Sequence, residues 1–96
     1  MNFGERREMS YYVYIILCED WSFYTGYTKN LDERIRLHAC GKGARYTKSH
    51  KPEKVAYVEL LDSRAKAMKR EKTVKKLTHQ QKLELINSRN NQKQTG

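Results

Sequence analysis

Residues 11–28 read YYVYIILC-EDWS-FYTGYT, and how this stretch pairs with itself decides the fold. Tyr11 to Cys18 is a continuous β-branched and aromatic run of strand length, apolar on both faces. Glu19-Asp20-Trp21-Ser22 makes a turn, and Phe23 to Thr28 is a second strand. Strands separated by so few residues predict an antiparallel hairpin. Gly26, inside the second strand, predicts a bulge or a close backbone approach.

Downstream, Asn30 opens a helix as N-cap, with Glu33 at the reciprocal N3 position. Leu31, Ile35, His38 and Ala39 share one face, and Gly41 and Gly43 end the helix. Residues 42–54 (KGARYTKSHKPEK) read as a basic loop, and Val55 to Leu61 as a third strand. Ser63 caps a second helix to about Lys76, and Thr78 with Gln81 forms a capping box for a last helix ending near Ser88. From Asn87 onward the chain turns polar, which predicts fraying. The order ββαβαα gives an α/β (α+β) domain, a three-stranded sheet flanked by helices.

Ninety-six residues make one domain with a modest core. The net charge of +9 is unevenly spread: residues 1–41 carry five Lys/Arg against six Asp/Glu, and residues 42–96 carry fifteen against five. A field of that kind attracts polyanions, nucleic acid foremost. No stretch approaches the ~18 apolar residues of a membrane span, no signal peptide is visible, and no helix pairs a broad apolar face with a basic one, so no membrane partner is expected. Cys18 and Cys40 form no CxxC pair and lack zinc-site spacing; two unpaired thiols fit a reducing, cytoplasmic setting.

Some residues read beyond packing. A positioned phenol such as Tyr14 or Tyr24 can take a proton from water beside a phosphate, although two strand tyrosines among seven are ordinarily core residues. Arg34 and His38 sit one turn apart, where a guanidinium can hold two phosphate oxygens. Arg64, Ala67, Met68, Glu71, Val74 and Lys75 form one stripe of the second helix, which places Glu71 among the small and apolar positions that face the sheet. Burying an unpaired carboxylate costs several kcal/mol. Two compensations are open: Lys75 at i+4, worth only ~0.2–0.5 kcal/mol when exposed, or a bound Mg²⁺ or Mn²⁺, which takes one or two carboxylates and fills its other sites with water and phosphate oxygens.

Together these residues resemble the GIY-YIG nuclease superfamily, and the resemblance runs from about Tyr11 to Ile86. Tyr12-Val13-Tyr14 stands for the GIY triplet and Tyr24-Thr25-Gly26 for YIG; the tyrosines and Gly26 are kept while the apolar fillers differ. Arg34, ten residues after Tyr24, matches the family's signature arginine, and Glu71 its lone metal-binding glutamate. His38 resembles a histidine that several members carry. Lys42-Gly43-Ala44-Arg45-Tyr46 resembles a run of the small stand-alone, YhbQ/YazA-like members, with Tyr46 an additional acid or base. Asn87 is the one nearby candidate for the polar residue that completes many such sites.

The resemblance, shared with the catalytic N-terminal module of the repair nuclease UvrC, implies one-metal hydrolysis of DNA phosphodiesters. Glu71 would hold Mg²⁺ or Mn²⁺, Tyr14 with Tyr24 would orient or deprotonate water, Arg34 would steady the developing charge, and His38 would assist proton transfer. It divides the chain into a flexible extension (1–10), the GIY-YIG domain (11–87) and a polar tail (88–96). Lys42, Arg45, Lys48, Lys72 and Lys75 are the expected phosphate-tracking residues, with little sequence preference. The expected partner is DNA, branched or single-stranded forms included, with a protein partner supplying specificity. The rival reading is a basic nucleic-acid-binding domain whose site is idle.

Overall fold

A computed structural model of the chain describes residues 10–95, with side chains to Ser88; nearly all of the expected extension over 1–10 lies outside the described residues. The order is β1 (Tyr11–Cys18), β2 (Phe23–Thr28), α1 (Leu31–Ala39), α2 (Arg45–Ser49), β3 (Pro52–Leu61), α3 (Arg64–Lys75) and α4 (His79–Thr95). The strands form one antiparallel sheet ordered β2-β1-β3, the α+β arrangement expected.

Being central, β1 is covered on both faces, which is why it reads as an unbroken apolar run. Ile15 packs with Tyr57, Val74 and Ile86 on one side. Tyr14, Ile16 and Cys18 face the other side with Leu31, Ile35, Tyr24 and Tyr46. The β1–β2 register runs without a shift and sets Tyr14 opposite Gly26. Of the two expectations for Gly26, close approach is the one realised: a Cβ there would lie 2.6 Å from the Tyr14 hydroxyl.

Asn30 caps α1 through its Oδ1, which accepts the Glu33 N–H at 3.1 Å. The reciprocal bond is absent, because the Glu33 carboxylate pairs with Arg36 and the Asn30 N–H donates to Thr28 Oγ1. Gly41, at φ +78°, ends the helix in the left-handed conformation; the Lys42 N–H reaches the Leu37 carbonyl and the Gly41 N–H that of His38. That is the paired closure a glycine at this position permits.

Three boundaries differ from the sequence reading. The basic loop contains α2, whose five residues are too few to show a period. Strand β3 starts at Pro52 rather than Val55, and proline is tolerated at the first residue of an edge strand. Helix α4 runs to Thr95, past Ser88, through residues with no apolar repeat to mark its end. The two remaining caps are as read: Ser63 Oγ accepts the Lys66 N–H, and Thr78 and Gln81 bond reciprocally.

The β1–β2 turn is unusual. Trp21 has φ 70°, a conformation that costs a residue other than glycine about 1–2 kcal/mol. Its N–H donates to the Cys18 carbonyl at 3.0 Å, and the Cys18 N–H donates to Ser22 at 2.9 Å. Asp20 fixes the turn by accepting the Ser22 N–H and hydroxyl on one oxygen and pairing with His50 on the other. Those bonds, Ser22's foremost, hold its carboxyl well below the usual carboxylate range.

Candidate active site

Tyr14 is the centre of the site. It is wholly buried, and its hydroxyl lies 2.9 Å from His38 Nε2. His38 Nδ1 in turn lies 2.8 Å from Thr47 Oγ1. Proton positions follow from the far end of this chain. The Thr47 hydroxyl donates to the Ala44 carbonyl at 3.0 Å, so toward His38 its oxygen accepts. Nδ1 therefore carries the imidazole proton, Nε2 presents a lone pair, and the Tyr14 hydroxyl donates to it.

The electrostatics agree with that assignment. Burial, helped by the Arg34 charge, lowers the pKa of His38, which keeps the imidazole neutral. Burial pushes the Tyr14 phenol up to about 12, against the pull of Arg34 and with smaller upward contributions from Tyr24 and Glu71. The Arg34 guanidinium, raised first by its hydrogen bond to Tyr14, also interacts with Tyr24. Thus α1 supplies Arg34 and His38, β1 and β2 supply the tyrosines, and α3 supplies Glu71, all within electrostatic reach of one phenol.

Tyr24 is half-buried, with its ring centroid 6.3 Å from that of Tyr14 and 5.1 Å from His38. Tyr46 stacks on Tyr24 at 5.9 Å and on His50 at 4.0 Å. Tyr14, Tyr24, Arg34, His38, Tyr46 and Glu71 are therefore brought together. Lys42, Arg45, Lys48 and Lys72 are exposed around α2 and on α3, as is Lys75. Asn87 is exposed on α4 beside Ile86, which packs into the layer on the Ile15 side of the sheet.

The α3 stripe is narrower than expected. Ala67 and Val74 are fully buried, but Arg64, Met68 and Lys75 are exposed, because a helix lying on a sheet buries only the arc nearest to it. Arg70 turns inward as well, bonding Glu59, which also accepts the Tyr57 hydroxyl. Glu71 keeps 19% of its side chain exposed and has Lys75 at 3.5 Å. Solvent and Lys75 thus meet part of the cost that full burial would have imposed.

Thr47 and His50 were not singled out by sequence, and Gly43 was read only as a helix stop and as part of the Lys42–Tyr46 run. The sharpest signal was Gly43: a Cβ there would run into the His38 ring, 2.8 Å from both Cγ and Cε1. Gly43→Ala should displace His38 and destabilise the domain by about 1–3 kcal/mol. A thermal melt checks this; an unchanged midpoint would mean that the ring has room to retreat.

The model of the GIY-YIG catalytic domain matches residues 10–84. The chain is 48% identical over 79 residues to a UPF0213 protein of Staphylococcus haemolyticus, covering 82% of this chain and 96% of that one. It is 49% identical over 78 residues to a UPF0213 protein of Clostridium perfringens, covering 81% and 84%. Two solution NMR structures share the fold. A UPF0213 protein from Bacillus halodurans has TM-score 0.54 at 43% identity, and an E. faecalis protein has 0.57 at 38%; each match covers 82% of this chain and 84% of the other.

Proposed function

The chain belongs to the GIY-YIG catalytic domain family, and from that premise we propose that it is a metal-dependent endonuclease that hydrolyses DNA phosphodiester bonds. The reading extends to low sequence specificity, a cytoplasmic setting and a role in DNA repair or recombination. The observation that carries it is the hydrogen-bonded series Tyr14–His38–Thr47, joined at one buried phenol by the charges of Arg34 and Glu71.

In this mechanism Tyr14 acts as a neutral phenol rather than a phenolate, because burial pushes its pKa up to about 12. Tyr14 accepts a proton from the attacking water as it passes its own to Nε2 of neutral His38, whose Nδ1–H stays on Thr47. Arg34, beside both tyrosines, holds the non-bridging phosphate oxygens as charge grows on them. Tyr24 and Tyr46 wall the site and orient the water. Exposed Lys42, Arg45, Lys48 and Lys72 track the phosphate backbone, so binding weakens with salt.

Glu71 is the residue that would hold a divalent ion. Among the described residues no three His, Cys, Asp or Glu side chains converge. A single, partly exposed carboxylate suits an ion that keeps most of its water, as Mg²⁺ or Mn²⁺ does. Such an ion supplies Lewis-acid stabilisation of phosphate and leaving oxygen.

The test is incubation of the purified chain with end-labelled single-strand, duplex, flap and junction DNA, with Mg²⁺ or Mn²⁺ and with chelator. Metal-dependent nicking is the expected result, strongest on branched or unpaired forms. Binding without cleavage on every substrate would leave an idle nucleic-acid-binding domain, or a nuclease that needs a protein partner.

A further inference from the structure

The β1–β2 turn has a feature the proposed chemistry does not use. In a three-residue hairpin loop closed as Cys18–Ser22 is, the last loop position takes the left-handed conformation and calls for glycine. Here that position holds Trp21, at φ 70°. The ring gains little from packing, because the residue is 73% exposed. A bulky residue in a strained conformation, with little burial to offset it, marks a position used for something other than folding.

The turn is also built to hold still. Asp20 is fixed by Ser22 and His50, and the Glu19 N–H donates to the Lys51 carbonyl at 2.7 Å. His50 stacks on Tyr46, and Tyr46 on Tyr24, so a column of rings ties the turn to the candidate site. Lys48 and Lys51 share a cleft with Glu19 at the base of the turn. Trp21 is flanked by Asp20 and Ser22 rather than by other apolar side chains. A single exposed ring is too small a patch to seat a protein or enter a bilayer. One exposed face is enough for a nucleobase.

We propose that Trp21 is a base-stacking platform that takes an unpaired nucleobase of single-stranded nucleic acid, with the phosphates on either side meeting Lys48 and Lys51. It gives the chain its preference for unpaired over fully duplex substrate. The inference rests on the reading that the chain binds nucleic acid.

Trp21 is the single tryptophan of the sequence, so its emission reports on this ring alone. The full chain, in EDTA to prevent cleavage, is titrated with oligothymidylate, with an abasic strand of equal length and with blunt duplex. Binding is followed separately by anisotropy of labelled versions of each. Oligothymidylate should quench the emission along its binding isotherm, and the abasic strand should not. Trp21→Gly should weaken oligothymidylate binding about tenfold and leave duplex binding within about twofold. Trp21→Phe should keep most of the affinity. The glycine variant should melt at or above the wild-type temperature; a lower midpoint would assign the ring a structural role and overturn the proposal. Binding with unchanged emission, or equal quenching by the abasic strand, would overturn it while leaving the nuclease reading intact. No binding to any strand would sink both.

Discussion

Glu71→Ala is expected to lower metal-dependent nicking by about 10³-fold or more while the fold persists. The Glu71 charge reaches the Tyr14 phenol. Its removal would take away the residue proposed to hold the divalent ion, and with it the charge stabilisation that such an ion supplies at the phosphate, worth several kcal/mol. The structural cost is small. The partner, Lys75, lies 3.5 Å away and is 52% exposed, and an i,i+4 pair of this kind contributes only about 0.2–0.5 kcal/mol. Side by side, nicking rates and thermal melts of wild type and variant separate the two effects. Nicking retained in Glu71→Ala would remove the metal role from this residue, and a melt lowered by tens of degrees would mean that the carboxylate is structural.

Tyr14→Phe is expected to reduce nicking by about 10²–10⁴-fold. The change deletes the hydroxyl that lies 2.9 Å from His38 Nε2 and is proposed to pass it the proton of the attacking water. It also leaves that buried nitrogen without its donor, at a cost to stability of about 1–3 kcal/mol. If the two residues act as one unit in the proposed relay, Tyr14→Phe with His38→Ala together should lose little more activity than either alone.

The pH profile distinguishes the relay from a phenolate base. His38 has its pKa lowered by burial and by Arg34, so it stays neutral to a pH below the ordinary imidazole value near ~6.5. Activity should therefore hold down to that value and fall only beneath it. Between about pH 7 and 10 the rate should be flat in the relay, whereas a phenolate with a pKa near 12 would make it rise tenfold per pH unit. The same shift bears on folding. The unfolded state takes up the His38 proton at the higher pKa, so stability falls as pH drops through ~6.5.

Much of the architecture was legible because it is local. The hairpin over 11–28, the caps at Asn30, Ser63 and Thr78, and the glycine stop after α1 each depend on residues only a few positions apart. The resemblance to the GIY-YIG family likewise marked Tyr14, Tyr24, Arg34, His38, Tyr46 and Glu71 as candidates. Helix α2 was missed because five residues cannot show a period, and α3 was read with too wide a buried arc because periodicity gives a direction but not a contact width.

The sequence by itself determined the three-stranded α+β domain, the family, and the residue types from which a site can be drawn. Only the tertiary structure decided what those residues are to one another. It buries Tyr14 opposite Gly26 and orders a proton-bearing series through His38 to Thr47. It also shares Glu71 between solvent and Lys75 and holds Trp21 exposed in a glycine's conformation. The physical reason is distance. Desolvation, tautomer and charge coupling depend on separations of a few ångströms between residues dozens of positions apart, which no local pattern records.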